Sequence, residues 1–126
     1  MKITSFNPLI VTKNAKDTIA LFEALGFEIR HSLDASAGDK DLTNVWMKDD
    51  NGFHVDISEV PESSLPQDLT LIRMNVDDFD EAYEFLLPKG FTCPSGRTVS
   101  TKTNKSCMLR SPSGFAFDLC QHIKEN

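Results

Sequence analysis

Apolar residues recur at helical spacing in two stretches of the chain. In the first, Ile19, Phe22 and Leu25 follow Asn14, a residue suited to capping the first turn, with Asp17 three residues further on; Gly26 ends the run. In the second, Phe79, Ala82 and Leu86 follow Asp78 and its capping partner Glu81, and Pro88 with Gly90 ends it. Elsewhere apolar and polar residues alternate, as in strands with one buried face. Phe53, Val55 and Ile57 alternate with His54, Asp56 and Ser58; Phe115, Phe117 and Leu119 alternate with Ala116, Asp118 and Cys120.

These features repeat. The two caps lie 64 residues apart, as do the dipeptides Gly26-Phe27 and Gly90-Phe91. Asp49-Asp50-Asn51-Gly52 and Ser111-Pro112-Ser113-Gly114 both read as hairpin turns closed by a glycine in the left-handed region. Asp56 and Asp118 then hold equivalent places 62 residues apart, so the loop Leu33–Thr43 is slightly longer than its counterpart near Val99–Lys105. Each half predicts strand, helix and three strands. The first is Phe6–Thr12, helix Ala15–Leu25, Phe27–Ser32, Asn44–Lys48 and Phe53–Glu59. The second is Leu69–Val76, helix Phe79–Leu87, Phe91–Cys93, Ser106–Arg110 and Phe115–His122. The fold class is α+β, one domain of residues 1–126, with a module of about 1–60, a Pro- and Ser-rich linker 61–67 and a module of about 68–123.

Alternation also assigns faces. The apolar rows Phe53, Val55, Ile57 and Phe115, Phe117, Leu119 belong under the helices. A turn with a glycine bulge sets Trp46 and Lys48 on the face of Asp56, and Met108 and Arg110 on that of Asp118. Val45, Met47, Cys107 and Leu109 are then core. In the fifth strand Thr70, Ile72, Met74 and Val76 are core, while Leu71, Arg73 and Asn75 face the other way.

Composition narrows the function. A chain of 126 residues, 40% apolar and 25% charged, has the makeup of an ordinary globular domain. Its net charge of -6 argues against nucleic acid, which requires a basic footprint. The small cluster Arg97, Lys102 and Lys105, set among Ser100, Thr101, Thr103 and Asn104, reads as a solvated hairpin tip before it reads as an anion contact. No stretch suggests a signal peptide or a membrane span. Cys93, Cys107 and Cys120 form no CxxC pair, so they read as small core residues of a cytoplasmic, reducing compartment. Asp77-Asp78 with Asp80-Glu81 read as capping and a solvated face, and the 124–126 tail as loose.

The segments Val11-Thr12-Lys13-Asn14, Leu21 to Phe27, Asn75-Val76-Asp77-Asp78 and Ser111 to Leu119 together resemble the vicinal-oxygen-chelate superfamily of glyoxalases, bleomycin resistance proteins and extradiol dioxygenases. The resemblance covers essentially the whole chain. It implies two βαβββ modules that form a curled mixed sheet with a central concave cavity, and by analogy a homodimer. In metal-using members the ligands come from the first and last strands of each module, His or Gln early and Glu late. The corresponding residues here are Asn7, Leu71, Asp56 and Asp118. Leu71 has no donor atom, Asn7 is a weak neutral ligand, and Asp is one methylene shorter than Glu, so the metal site looks degenerate.

Two main readings follow, with no nucleic-acid or membrane partner in either. In the first the protein binds a small polar or anionic molecule and needs no cofactor. Trp46, Met108 and Leu71 serve as apolar walls, Lys48, Arg73 and Arg110 as anchors, and Asp56 and Asp118 as partners of those cations. In the second it is a metal-dependent enzyme of the glyoxalase or dioxygenase kind that uses Asp56, Asp118 and Asn7 around a divalent ion. A third reading is a metal-free enzyme with His54 or an aspartate as the base, although His54 also fits the plainer role of a hydrogen-bonded scaffold residue.

Overall fold

The computed structural model describes residues 1–37, 40–62, 65–96, 98–100 and 102–123, the side chains of 34–37, 40 and 41 excepted. Eight strands and two α-helices are described: β1 Ile3–Thr12, α1 Ala15–Ala24, β2 Glu28–Ala37, β3 Lys40–Lys48, β4 His54–Glu59, β5 Leu69–Val76, α2 Phe79–Leu86, β6 Val99–Ser100, β7 Asn104–Arg110 and β8 Ala116–His122. The chain divides into two compact units. One comprises Asn7–Thr70; the other comprises Met1–Phe6 with Leu71–Asn126. β1 is therefore split, its first residues grouping with the later part of the chain. Among the described residues no helix is long and apolar enough to cross a membrane.

In the unit of residues 7–70 the strand order is β2-β3-β4-β1, with β4 parallel to β1 and the other neighbours antiparallel. Helix α1 starts where expected, since the Asn14 side chain accepts from the Asp17 amide at 3.1 Å. Val45, Met47, Val55 and Ile57 are buried with Ala15, and Ile10, Ile19, Phe22 and Phe27 pack against them. The unit of residues 1–6 and 71–126 repeats the plan as β5-β8-β7-β6, with β5 parallel to β8. Asp78 caps α2 through the Glu81 amide at 3.1 Å. Phe79, Ala82 and Leu86 pack on Met74, Val76, Cys107, Leu109 and Leu119. Both predicted turns form, with Gly52 and Gly114 at positive φ and their amides bonded to the carbonyls of Asp49 and Ser111.

A further repeat ties the last strand of each unit to the start of its helix. A helix leaves its first amides without partners. The Glu59 carboxylate accepts from the Ala15 amide through Oε2 and from the Thr43 amide through Oε1, both at 3.1 Å. In the other unit Gln121 Oε1 accepts from the Phe79 amide at 2.7 Å while its Nε2 donates to the Asp77 carbonyl at 3.0 Å. One side chain in each unit thus fixes where the helix begins relative to the sheet beneath it.

Some expectations are corrected. Phe91–Cys93 is not a strand; only Thr92 bridges to Arg110, because Pro94 has no amide to extend the ladder, and the short partner of β7 is instead Val99–Ser100. The expected loop Leu33–Thr43 is largely strand, since β2 and β3 run on to Ala37 and Lys40. β1 starts at Ile3 rather than Phe6, and α1 stops at Ala24, leaving Leu25 exposed beyond it. Thr70 is exposed rather than core. Phe53 and Phe115, at 65% and 52% exposure, precede the paired part of their strands and are not covered by the helices. Arg97, Thr101 and the 124–126 tail lie outside the described residues, as does part of the linker.

The capping contacts predict a measurable loss. Glu59→Ala and Gln121→Ala should each lower the unfolding free energy by about 1–3 kcal/mol, as expected when a buried amide loses its acceptor. Glu59→Gln should retain most of it. Urea unfolding would read these shifts as changes in midpoint at constant slope, and unchanged midpoints for both alanine variants would make the contacts incidental.

Candidate functional site

Directly opposed residues share a face, so the register locates every predicted site residue. In the unit of residues 7–70, Trp46 opposes Asp56 and Lys48 opposes His54, while Leu9 lies in register with Asp56 on the other side. Asn7, Trp46, Lys48, His54 and Asp56 therefore occupy the side of the sheet away from the α1 core, as alternation required. Their surroundings differ. Asp56 is buried at 3% exposure, Trp46, Lys48 and Asn7 are half-buried, and His54 is exposed. The Asn7 amide donates to the neighbouring Pro8 carbonyl at 3.0 Å. Lys48 forms no ion pair among the described residues. His54 has no side chain to orient its ring there, which a general base requires.

This face has one member that the sequence did not disclose. His31 opposes Trp46, and their ring centroids lie 4.8 Å apart with the planes tilted by 48°. Plain alternation would set His31 on the face of Ile29, which opposes the core residue Met47 although it is itself exposed. A bulge between Ile29 and His31 turns the strand by one residue and brings the imidazole to the other side.

In the unit of residues 1–6 and 71–126 the corresponding face holds Leu71, Arg73, Asn75, Met108, Arg110 and Asp118. Arg73 and Met108 both oppose Asp118. The Arg73 guanidinium grips Asp118 Oδ2 twice, from Nε at 3.1 Å and from its terminal nitrogen at 3.0 Å, with the two side chains only 14% and 18% exposed. Arg110 opposes Ala116 at the exposed end of β7 and forms no ion pair among the described residues. At the end of the face nearest α2 a cavity of about 580 Å³ opens, lined by Thr4, Ser5, Asn75, Val76, Asp77 and His122. Asn75 Nδ2 donates to Ser5 Oγ there at 2.6 Å. None of the predicted ligand residues lines that cavity, which exists because the start of β1 joins this unit. Lys105, from the basic cluster, is engaged by Asp80 at 2.6 Å.

The arrangement of two βαβββ units, each with its helix on one side of the sheet, has counterparts among known proteins. Residues 3–119 match the family profile of the Glyoxalase/Bleomycin resistance protein/Dioxygenase superfamily. The chain belongs to this superfamily. No curated protein matches the chain at a significant level. Among solved structures it is similar to a superfamily member from Vibrio splendidus 12B01, with 20% identity, a TM-score of 0.62, and 95% of this chain and 99% of that one covered. It is also similar to glyoxalase I from Zea mays, with 13% identity, a TM-score of 0.67 and 98% of this chain covered, although it spans only 45% of the maize chain. A protein from Staphylococcus aureus is similar over 96% of this chain and 98% of its own, at 15% identity and a TM-score of 0.65. At these identities the likeness concerns the fold.

Within a superfamily that includes metal-using members, the donor set of this chain is a poor fit to a divalent ion. Leu71 supplies no donor, Asn7 is a weak neutral ligand, and the carboxylate of Asp118 is held by the Arg73 guanidinium. Among the described residues no three His, Cys, Asp or Glu side chains are grouped to hold a metal.

The ion pair also separates the roles of the two arginines. Asp118→Ala should remove this ion-pair partner of Arg73 and cost about 2–3 kcal/mol, below the ~3–5 kcal/mol of a fully buried pair because some solvent reaches it. Arg110→Ala should change stability by no more than about 0.5 kcal/mol, as a surface substitution does. Equal costs for the two variants in thermal unfolding would contradict this assignment.

Proposed function

We propose that this superfamily member binds a small polar or anionic molecule without a metal, on the sheet face of residues 7–70 that carries His31, Trp46 and Lys48. The observation that carries the reading is the close His31–Trp46 ring pair on the same face as Lys48, which forms no ion pair among the described residues although Glu28 stands opposite it. An aromatic wall beside such a cation suits a planar or unsaturated acid: the ring system stacks while the ammonium meets the carboxylate or phosphate. Partial burial of Lys48 strengthens that contact relative to one made in open water. Of the anchors expected from sequence, Arg73 is engaged by Asp118, whereas Arg110 remains a second cationic position with Met108 beside it on the other unit. The metal-dependent enzyme reading draws no support from the donor set. The same reading takes the protein to be cytoplasmic and, by analogy with the superfamily, a homodimer; a monomeric mass in light scattering across a wide concentration range would remove the second point.

Trp46 is the single tryptophan of the chain, so its emission reports on this face directly. Titration with small aromatic and aliphatic carboxylates and phosphates should quench or shift it saturably for at least one compound. Lys48→Ala should then weaken binding by about tenfold or more, the value of one hydrogen bond to a charged group at ~1.5–3 kcal/mol. A panel that leaves the emission unchanged, or affinity indifferent to Lys48, would reject the reading.

A further inference from the structure

The strongest chemistry outside the proposed ligand face lies at two cysteines on the core side of β7. Cys93 and Cys107 bring their sulfurs to 2.9 Å, inside van der Waals contact yet unbonded, and both are thiols. We propose that Cys93 and Cys107 are an oxidation site, forming a reversible intramolecular disulfide when the protein meets a peroxide, with Cys93 taking the oxidant and Cys107 resolving it.

The geometry explains why these two meet. The bridge between Thr92 and Arg110, held by backbone bonds of 2.9 and 2.8 Å, fixes the chain one residue before Cys93. Cys93 therefore lies diagonally across from Cys107 and on the same face. Beyond it the chain turns at once, the Gly96 amide returning to the Cys93 carbonyl at 2.9 Å, with the exposed residues Pro94, Ser95 and Gly96 forming the turn. Closing 2.9 Å to the ~2.05 Å of a disulfide asks for less than an ångström of movement, and one partner sits at the start of a surface turn that can supply it. Cys120 cannot substitute. It opposes Ser106, whereas Cys107 opposes Leu119, so Cys120 points to the other side of the sheet.

The two sulfurs have unequal surroundings, which sets the order of events. Cys93 is half-buried with the Ser95 hydroxyl 3.4 Å from its sulfur. Cys107 is buried, and that burial, with the neighbouring Cys93 thiol, pushes its pKa up to about 12. A thiol held protonated is a poor first nucleophile, so the accessible sulfur reacts first. In the first step the Cys93 sulfur attacks the peroxide: an S–O bond forms, the O–O bond breaks, and the departing hydroxide leaves as water with the thiol proton. In the second step the Cys107 sulfur displaces hydroxide from the Cys93 sulfenic acid. The S–S bond forms, the S–O bond breaks, and the Cys107 proton leaves in a second water. The Thr98 hydroxyl, which hydrogen-bonds the Cys107 sulfur, favours the negative charge that develops there. Two electrons pass from the two thiols to the peroxide, and a small dithiol returns them.

The test uses the intact chain, fully reduced, exposed to hydrogen peroxide, denatured, alkylated and mapped by mass spectrometry. The expected product is lighter by two hydrogens, with a peptide joining Cys93 to Cys107, Cys120 alone alkylated, and full reversal by dithiothreitol. Cys93 should be consumed about tenfold faster than Cys120, as accessible and buried thiols differ. In Cys107→Ser, Cys93 should give a sulfenic acid that dimedone traps, and in its absence should advance to the sulfinic acid; in Cys93→Ser no linked peptide should form. Oxidation of Cys93 in the unaltered protein to sulfinic acid without a linked peptide would overturn the proposal. So would a link to Cys120, or loss of all three thiols at one common rate. Because the decisive measurement is made on the unaltered chain, poor folding of either variant would not weaken the test.

Discussion

One constraint governs the rest of the molecule: a strand with a single apolar row must turn that row toward its helix. Val45, Met47, Val55 and Ile57 in one unit, and Cys107, Leu109 and Leu119 in the other, leave the sheet no freedom of register. A slip of one residue would expose every one of them and bury Trp46, Asp56, Met108 and Asp118 against the helices. Burying a carboxylate there without a partner would cost far more than the turns could return. The glycine turns at Gly52 and Gly114 fit that register, and the Glu59 and Gln121 contacts lock each helix above it. The face opposite the core is therefore fixed before any functional residue is chosen.

What occupies that face then decides which chemistry the superfamily fold can host here. An aspartate on the last strand can serve a metal or an arginine, and the two uses exclude each other, because a guanidinium at about 3 Å repels a cation from the same oxygen. Asp118 faces Arg73 at 3.0 Å. With Leu71 offering no donor, the second unit sets an ion pair on this face. Lys48 in one unit and Arg110 in the other form no ion pair among the described residues.

Most of the architecture was legible in the sequence because its signals are local. Asn14 and Asp78 announce caps, the two turn tetrapeptides announce hairpins, and alternation assigns the faces of β3, β4, β7 and β8. The pairing of Asp118 with an inward cation was also legible, although which arginine holds it was not, since β5 and β8 are joined only through long-range pairing. Four features escaped, each for a physical reason. His31 reaches Trp46 through a bulge that breaks the period of two. Glu59 and Gln121 act on amides more than forty residues away in sequence. The start of β1 groups with the later part of the chain, a long-range association that no local pattern announces. Cys93 and Cys107 carry no recognisable spacing, and meet only because one bridge at Thr92 holds the chain beside β7.

The functional reading turns on Asp118 being a counter-ion and not a metal ligand. Elemental analysis of protein purified without chelators, performed on the unaltered chain and on Asp118→Ala side by side, examines that point without an assay for the ligand. Zinc, iron, nickel and manganese should stay well below one equivalent in both proteins, with no difference between them. One equivalent of any of these metals in the unaltered protein, lost in Asp118→Ala, would show the aspartate to be a ligand instead.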